Sequence, residues 1–233
     1  MWLEAAAAAS MAASAAWAVR GRSAAVFGPS VHRGPGGRRS VALTFDDGPS
    51  ESTPALLELL AKLGAPATFF QVGLNARRLP EIAREVSRAG HEIGNHTWSH
   101  RMPWIGAAGD EIGRCQELLT DLHGAAPKLF RAPYGVRWFG FRAAQRRHGL
   151  LGVMWTVIAL DWKLDEDAAA RRLTAGAREG GILCLHDGRE LTPRPDIRST
   201  LGAVDRTVRQ LRDFGYHFES ASDILCPKSS SNA

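Results

Sequence analysis

The chain has 233 residues, 45% of them hydrophobic, enough to bury one substantial core and within the range of a single barrel-like domain. Its net charge of +5 and isoelectric point near 9.6 are moderate, with Lys and Arg scattered apart from clusters such as Arg20/Arg22 and Arg38/Arg39. That distribution suits an anionic cell surface and carries no nucleic-acid signature. Three widely spaced cysteines, Cys115, Cys184 and Cys226, exclude a disulfide framework and a CxxC zinc knuckle.

The first nineteen residues, MWLEAAAAASMAASAAWAV, approach the length of a spanning helix, but Ala is weakly apolar, Glu4 interrupts the run and no basic segment precedes it. Two readings follow: a membrane or export segment, or an Ala-rich helix or leader. Residues 20–40 are rich in Gly, Pro and Arg and read as a connector. The catalytic-sized domain is then expected over 41–226, with 227–233 a C-terminal tail.

From Val41 onward, short apolar runs alternate with amphipathic stretches, the pattern of repeated βα units around a mostly parallel sheet. VALTF (41–45) opens as a strand. Thr53-Pro54 reads as a helix cap followed by a first-turn proline; Leu56, Leu59, Leu60 and Leu63 share a face, and Gly64 ends the helix. Strands are expected at 67–72, 91–94, 128–131, 150–157, 181–186 and at YHFE (216–219). Helices are expected near 80–89, around Ile112 to Leu122, at 141–148, at 166–177 and around Leu201 to Leu211. About seven strands and no sequence repeat predict an α/β fold, a distorted, partly closed (β/α) barrel, with an open doubly wound sheet as the alternative.

Polar residues collect at the expected strand ends, where such folds place their chemistry. TFDDGP puts Asp46 and Asp47 after the first strand, HTWSH puts His96 and His100 after the third, and Arg131 and His186 close two others. Two imidazoles and one carboxylate make a divalent-metal set with an open position, provided that the HTWSH segment makes one helical turn. One Asp would be the ligand and the other a general base; spacing does not say which. Arg131 would orient the base and His186 would be the general acid, which gives hydrolysis without a covalent intermediate. Singly, each motif has a blander reading: Asp-Asp-Gly-Pro is usually a turn, and HxxxH is more often surface or capping residues. Their co-occurrence in a workable order carries the inference.

Taken together, TFDDGP, HTWSH, RAPY (131–134), Asp161-Trp162 and His186-Asp187 resemble, in order, the five motifs of the NodB-type polysaccharide deacetylases, over Val41 to Leu225. The resemblance implies Asp46 as catalytic base, Asp47, His96 and His100 as ligands of one divalent transition metal, and His186 as catalytic acid. Zinc is the foremost metal, with cobalt, nickel or manganese as alternatives. It further implies that Arg131 holds Asp46, that the Tyr134 backbone N–H stabilises the oxyanion, that Asp161 tunes His186 and that Trp162 walls a sugar groove. Trp138 is the second candidate for stacking on sugar, whereas for Trp155, inside an apolar strand, packing in the core weighs at least equally.

Two positions depart from the family pattern. Ile158 stands where an acidic residue is usual, and Cys184 where Leu is usual; both bear on substrate choice more than on activity. The partner implied is an N-acetylated carbohydrate, chitin-like or peptidoglycan, at the cell envelope or outside the cytoplasm. Acetylxylan esterase, amino-sugar deformylase and a catalytically silent carbohydrate-binding relative are the competing functions.

Overall fold

The computed structural model describes residues 2–102 and 108–226; Trp104 and the tail 227–233 lie outside the described residues. Helix α1 (Trp2–Arg20) forms as the Ala-rich run suggests, but no helix among the described residues is long and apolar enough to cross a membrane. Alanine contributes helix length there with little apolarity.

Next along the chain come β1 (Ser30–Val31), β2 (Ser40–Asp46), α2 (Thr53–Leu63), β3 (Ala67–Gln71), α3 (Gly73–Arg78), α4 (Pro80–Arg88) and β4 (Glu92–Asn95). They are followed by α5 (Ala108–His123), β5 (Leu129–Phe130), a 3-10 turn (Pro133–Gly135), α6 (Phe141–His148), β6 (Leu151–Val153) and β7 (Val157–Ile158). The chain continues through α7 (Glu166–Gly176), β8 (Gly181–His186), α8 (Arg198–Asp213), β9 (His217–Phe218) and α9 (Ala221–Leu225).

The strands lie in the order β1-β6-β5-β4-β3-β2-β8-β7, all parallel, with β9 paired beside the start of β2. The sheet curls into a distorted, partly closed barrel. Its two ends are stitched by side chains and single bonds instead of a ladder: Thr156 donates from Oγ1 to His32 O at 2.8 Å and from N to Ile182 O at 2.8 Å, and Gly34 N reaches Gly180 O at 2.9 Å.

Three local expectations change. The connector 20–40 contributes β1, which pairs with β6 in register Ser30 to Gly152. The single strand expected over 150–157 breaks at 154–156, so its halves serve opposite ends of the sheet. Thr53 is the first residue of α2 instead of its cap, its hydroxyl donating to Asp187 Oδ2 at 2.6 Å; Leu56, Leu60 and Leu63 are buried as expected, Leu59 packs partly buried against the same core, and Leu57 joins them.

Strands β2 and β8 are buried on both faces, as central parallel strands are, and the period of two sorts their side chains. Val41, Leu43, Phe45, Leu183 and Leu185 face outward into the core formed with Leu56, Leu60, Leu173, Val204 and Val208. The alternate residues are Ala42, Thr44 and Asp46 on β2 and Ile182, Cys184 and His186 on β8, paired rung by rung. Burying five large apolar side chains on the outer faces stabilises by about 1.5–3 kcal/mol each, which pins the register and so fixes which residues face inward.

Candidate active site

The inward alternation ends at the barrel mouth, in a cleft of about 480 Å³ lined by Asp46, Asp47, His96, His100, His186 and aromatic side chains. Asp46 and His186 are register partners at the ends of adjacent strands. Asp46 is buried and accepts from Arg131 Nη1 at 2.7 Å through Oδ1. Arg131 is fully buried and also donates to Thr44 Oγ1 at 2.8 Å and Val153 O at 3.0 Å, while its guanidinium lies 4.1 Å over the Phe70 ring.

Asp47 turns away from Asp46 because its backbone is left-handed, with φ 72°. A non-glycine residue in that region costs about 1–2 kcal/mol, and Asp is among the types that tolerate it. Its Oδ1 lies 3.3 Å from His96 Nε2 and 3.0 Å from His100 Nε2, and its Oδ2 accepts from the Glu190 N–H at 3.1 Å. Burial alone would raise the Asp47 carboxyl, but the neighbouring His100 and His96 outweigh it and hold the group well below the usual carboxylate range.

The helical turn expected for HTWSH is absent. Thr97 and His100 take left-handed φ values of 67° and 55°, and this irregular path brings the two rings to 4.9 Å between centroids. Asn95 Oδ1 accepts from Thr97 N at 2.9 Å and Glu111 Oε2 accepts from both Ser99 N and Oγ at 2.8 Å, which fixes the path. His96 Nδ1 is 2.8 Å from the Arg131 carbonyl, so Nδ1 carries the proton and Nε2 presents its lone pair.

These three donors fit a transition metal. Ligand atoms about 2.1 Å from one ion lie roughly 3.0–3.4 Å apart, which matches the two Asp47 distances, and two imidazoles with one carboxylate leave positions open.

On the opposite wall, His186 Nδ1 is 2.9 Å from Asp161 Oδ1, and Asp161 Oδ2 accepts from His186 N at 2.9 Å and Thr200 Oγ1 at 2.7 Å. Burial pulls the imidazole down, yet the Asp161 charge and hydrogen bond, helped by Asp47 and Asp46, raise it to about 9. Trp162 meets His186 edge-on at 4.8 Å and is 37% exposed. Tyr134 sits at φ 57° in the 3-10 turn, with its hydroxyl donating to Glu190 Oε1 at 2.8 Å.

Trp138 does not line the cleft: it stacks on Phe27 at 5.9 Å and meets Phe139 edge-on. Trp155, expected within a strand, lines the cleft instead, because the strand breaks there. Ile158 also lines it. Sequence reasoning missed Glu111, Glu190 and Thr200, which no local motif marks; Thr44 lies within TFDDGP but was given no role.

Residues 33–153 match the sequence profile described as polysaccharide deacetylase. A peptidoglycan-N-acetylglucosamine deacetylase of Bacillus cereus is 33% identical over 192 residues, covering 79% of this chain and 68% of that protein. The chain belongs to the polysaccharide deacetylase family. A chitooligosaccharide deacetylase of Sinorhizobium fredii is 34% identical over 207 residues, covering 82% of this polysaccharide deacetylase and 94% of the relative. A crystal structure of a peptidoglycan N-acetylglucosamine deacetylase superposes with a TM-score of 0.77 at 31% identity, covering 83% of this chain and 91% of the other. The protein is therefore a hydrolase of the polysaccharide deacetylase type.

Proposed function

We propose that this cleft hydrolyses the acetamide of N-acetylglucosamine units in peptidoglycan or a chitin-like chain, with one divalent transition metal, zinc foremost, held by Asp47, His96 and His100. The observation that carries the reading is the arrangement of a buried Arg131-held carboxylate, an Asp–His–His donor set and an Asp161-held imidazole around one opening. The activities named for the relatives are of this kind.

A bound cation supplies Lewis acidity toward the attacking water and the acetyl carbonyl. Asp46 takes the proton of that water; Arg131 stabilises its charge and, being permanently protonated, does not compete for the proton. His186, raised to about 9, is an imidazolium at neutral pH, and its Nε2–H is free to protonate the leaving amine while Nδ1–H stays on Asp161. The Tyr134 backbone N–H is assigned to the oxyanion, a donor worth about 3 kcal/mol of barrier. Trp162 forms a wall for the sugar ring. A silent carbohydrate-binding relative would lack a base, a ligand or an acid, and against that reading stand Asp46, the Asp47–His96–His100 set and His186 as candidates for each.

The substrate class places the protein at the cell envelope or outside the cytoplasm. The test is acetate release from chitin oligomers, peptidoglycan and acetylated xylan by metal-loaded enzyme. Release is expected from the N-acetylglucosamine polymers and expected to fall by about 10²–10⁴ in Asp46→Asn. Undiminished release by that variant would overturn the assignment of Asp46; release from acetylated xylan alone would overturn the substrate class.

A further inference from the structure

The inward faces of β2 and β8 carry one reactive side chain that this reaction does not use. Cys184 pairs in register with Thr44, two positions below the Asp46–His186 pair and next to it on the inward face, and is fully buried. Its Sγ lies 3.5 Å from Asp46 Oδ2, with the Leu185 carbonyl at 3.9 Å as its other acceptor. His186 commits Nδ1 to Asp161, which leaves Nε2 as its ligating nitrogen. One ligand atom from each of Asp46, Cys184 and His186 lies within 4.8 Å of the other two.

We propose that Asp46, Cys184 and His186 form a second, inhibitory site for a thiophilic divalent cation such as Zn²⁺ or Cd²⁺. The donors are a carboxylate, an imidazole and a sulfur, softer than the Asp47–His96–His100 set and therefore selective for soft ions. Entry is from the cleft, which Asp46 and His186 line. On coordination the Cys184 S–H bond is replaced by a metal–sulfur bond and the His186 imidazolium gives up its Nε2 proton, so two protons leave to solvent; nothing is oxidised or reduced. The thiolate charge offsets the extra cation beside Arg131, which already faces Asp46 Oδ1. Inhibition follows because the ion occupies base and acid together, and this clause rests on the roles proposed above. A residue without sulfur at 184 leaves two protein ligands, so the site depends on Cys184.

The probe is Co²⁺ titrated into the full-length, metal-stripped protein. The first equivalent is expected to give a spectrum without sulfur ligation, and the second to add a near-ultraviolet thiolate-to-cobalt band that Cys184→Ser and Cys184→Leu lack and Asp47→Asn keeps. In acetate-release assays, each protein scaled to its own maximum, the Zn²⁺ concentration that halves activity should rise in both Cys184 variants. The rise should exceed the about 10-fold that loss of even an outer partner costs a metal site. No thiolate band at two equivalents, or a band that persists in Cys184→Ser and so arises from Cys115 or Cys226, would falsify the site. Unchanged Zn²⁺ inhibition in Cys184→Ser overturns its inhibitory role. The cobalt spectrum needs no turnover, so it separates failure of this site from failure of the deacetylase reading.

Discussion

Asp46 and Arg131 are 85 positions apart in sequence and meet at 2.7 Å inside the barrel. Both are buried, so the carboxylate depends on that guanidinium for its charge, and Thr44 Oγ1 and the Val153 carbonyl depend on it for a donor. Arg131→Met is expected to cost about 3–5 kcal/mol, since removing one partner strands the other. Asp46→Asn in the same background should restore part of that loss. Urea unfolding midpoints of the four proteins measure both, and a stable Arg131→Met single variant would contradict the coupling.

His186 offers a pH signature. Its folded-state value of about 9 lies above the ordinary 6.5, so the Asp161 contact stabilises fully below pH 6.5, and that contribution is lost as pH rises through 9. Asp161→Asn is therefore expected to lose stability at pH 6 and very little at pH 10. The same change should move the alkaline limb of the kcat/KM profile downward. A bound cation offsets the contributions of Asp46 and Asp47, so both limbs of the loaded enzymes lie lower, but the sign of the difference holds. An alkaline limb identical in the two proteins would remove His186 from the acid role.

How far the site was legible in the sequence depended on range. Asp46, Asp47, Arg131 and His186 could be placed because strands β2, β5 and β8 are short apolar runs whose ends are marked by polar residues, and period-two burial aims those residues. The resemblance assigned Asp47 and not Asp46 as the metal ligand, and the distances group Asp47 with both imidazoles. The path of HTWSH was not legible, because left-handed residues at Thr97 and His100 are held by Asn95 and Glu111, the latter from the following helix. Trp155 reaches the cleft because the strand breaks at 154–156, and a break of three residues in an apolar run leaves no mark in hydrophobic pattern. Strand β1 was hidden for a related reason: two residues in a Gly- and Pro-rich segment carry no periodicity, yet they pair against β6.

Gly48 tests how tightly the turn after β2 is built. A Cβ there would lie 2.1 Å from Asp187 Oδ2 and 2.4 Å from Oδ1 of a buried carboxylate already held by Thr53. Gly48→Ala should cost about 1–3 kcal/mol in thermal or urea unfolding, the usual range for overpacking, and lower kcat/KM by displacing the neighbouring Asp47. Gly64→Ala is the comparison: its φ is left-handed at 55°, unlike that of Gly48, and nothing lies within 4 Å of the added atom, so it carries backbone strain without crowding. A Gly48→Ala protein with the wild-type unfolding midpoint and kcat/KM would remove crowding against Asp187 as the requirement at this turn.

Asp47→Asn separates metal binding from folding. Asn tolerates the left-handed backbone at 47 as Asp does and keeps its size, so the turn is retained while the ligand loses its charge. In the wild-type protein, Zn²⁺ at about 100 times its Kd should add roughly 2.7 kcal/mol of stability, and a chelator should remove it. Asp47→Asn, His96→Ala and His100→Ala, each in a Cys184→Ser background that removes the second site, should show little or no such gain and retain less metal after dialysis. Because Asp46 keeps Arg131 and His186 keeps Asp161 in all three, their folds should persist by circular dichroism. A Zn²⁺-dependent rise in melting temperature as large in Asp47→Asn as in the wild type would place the ion elsewhere.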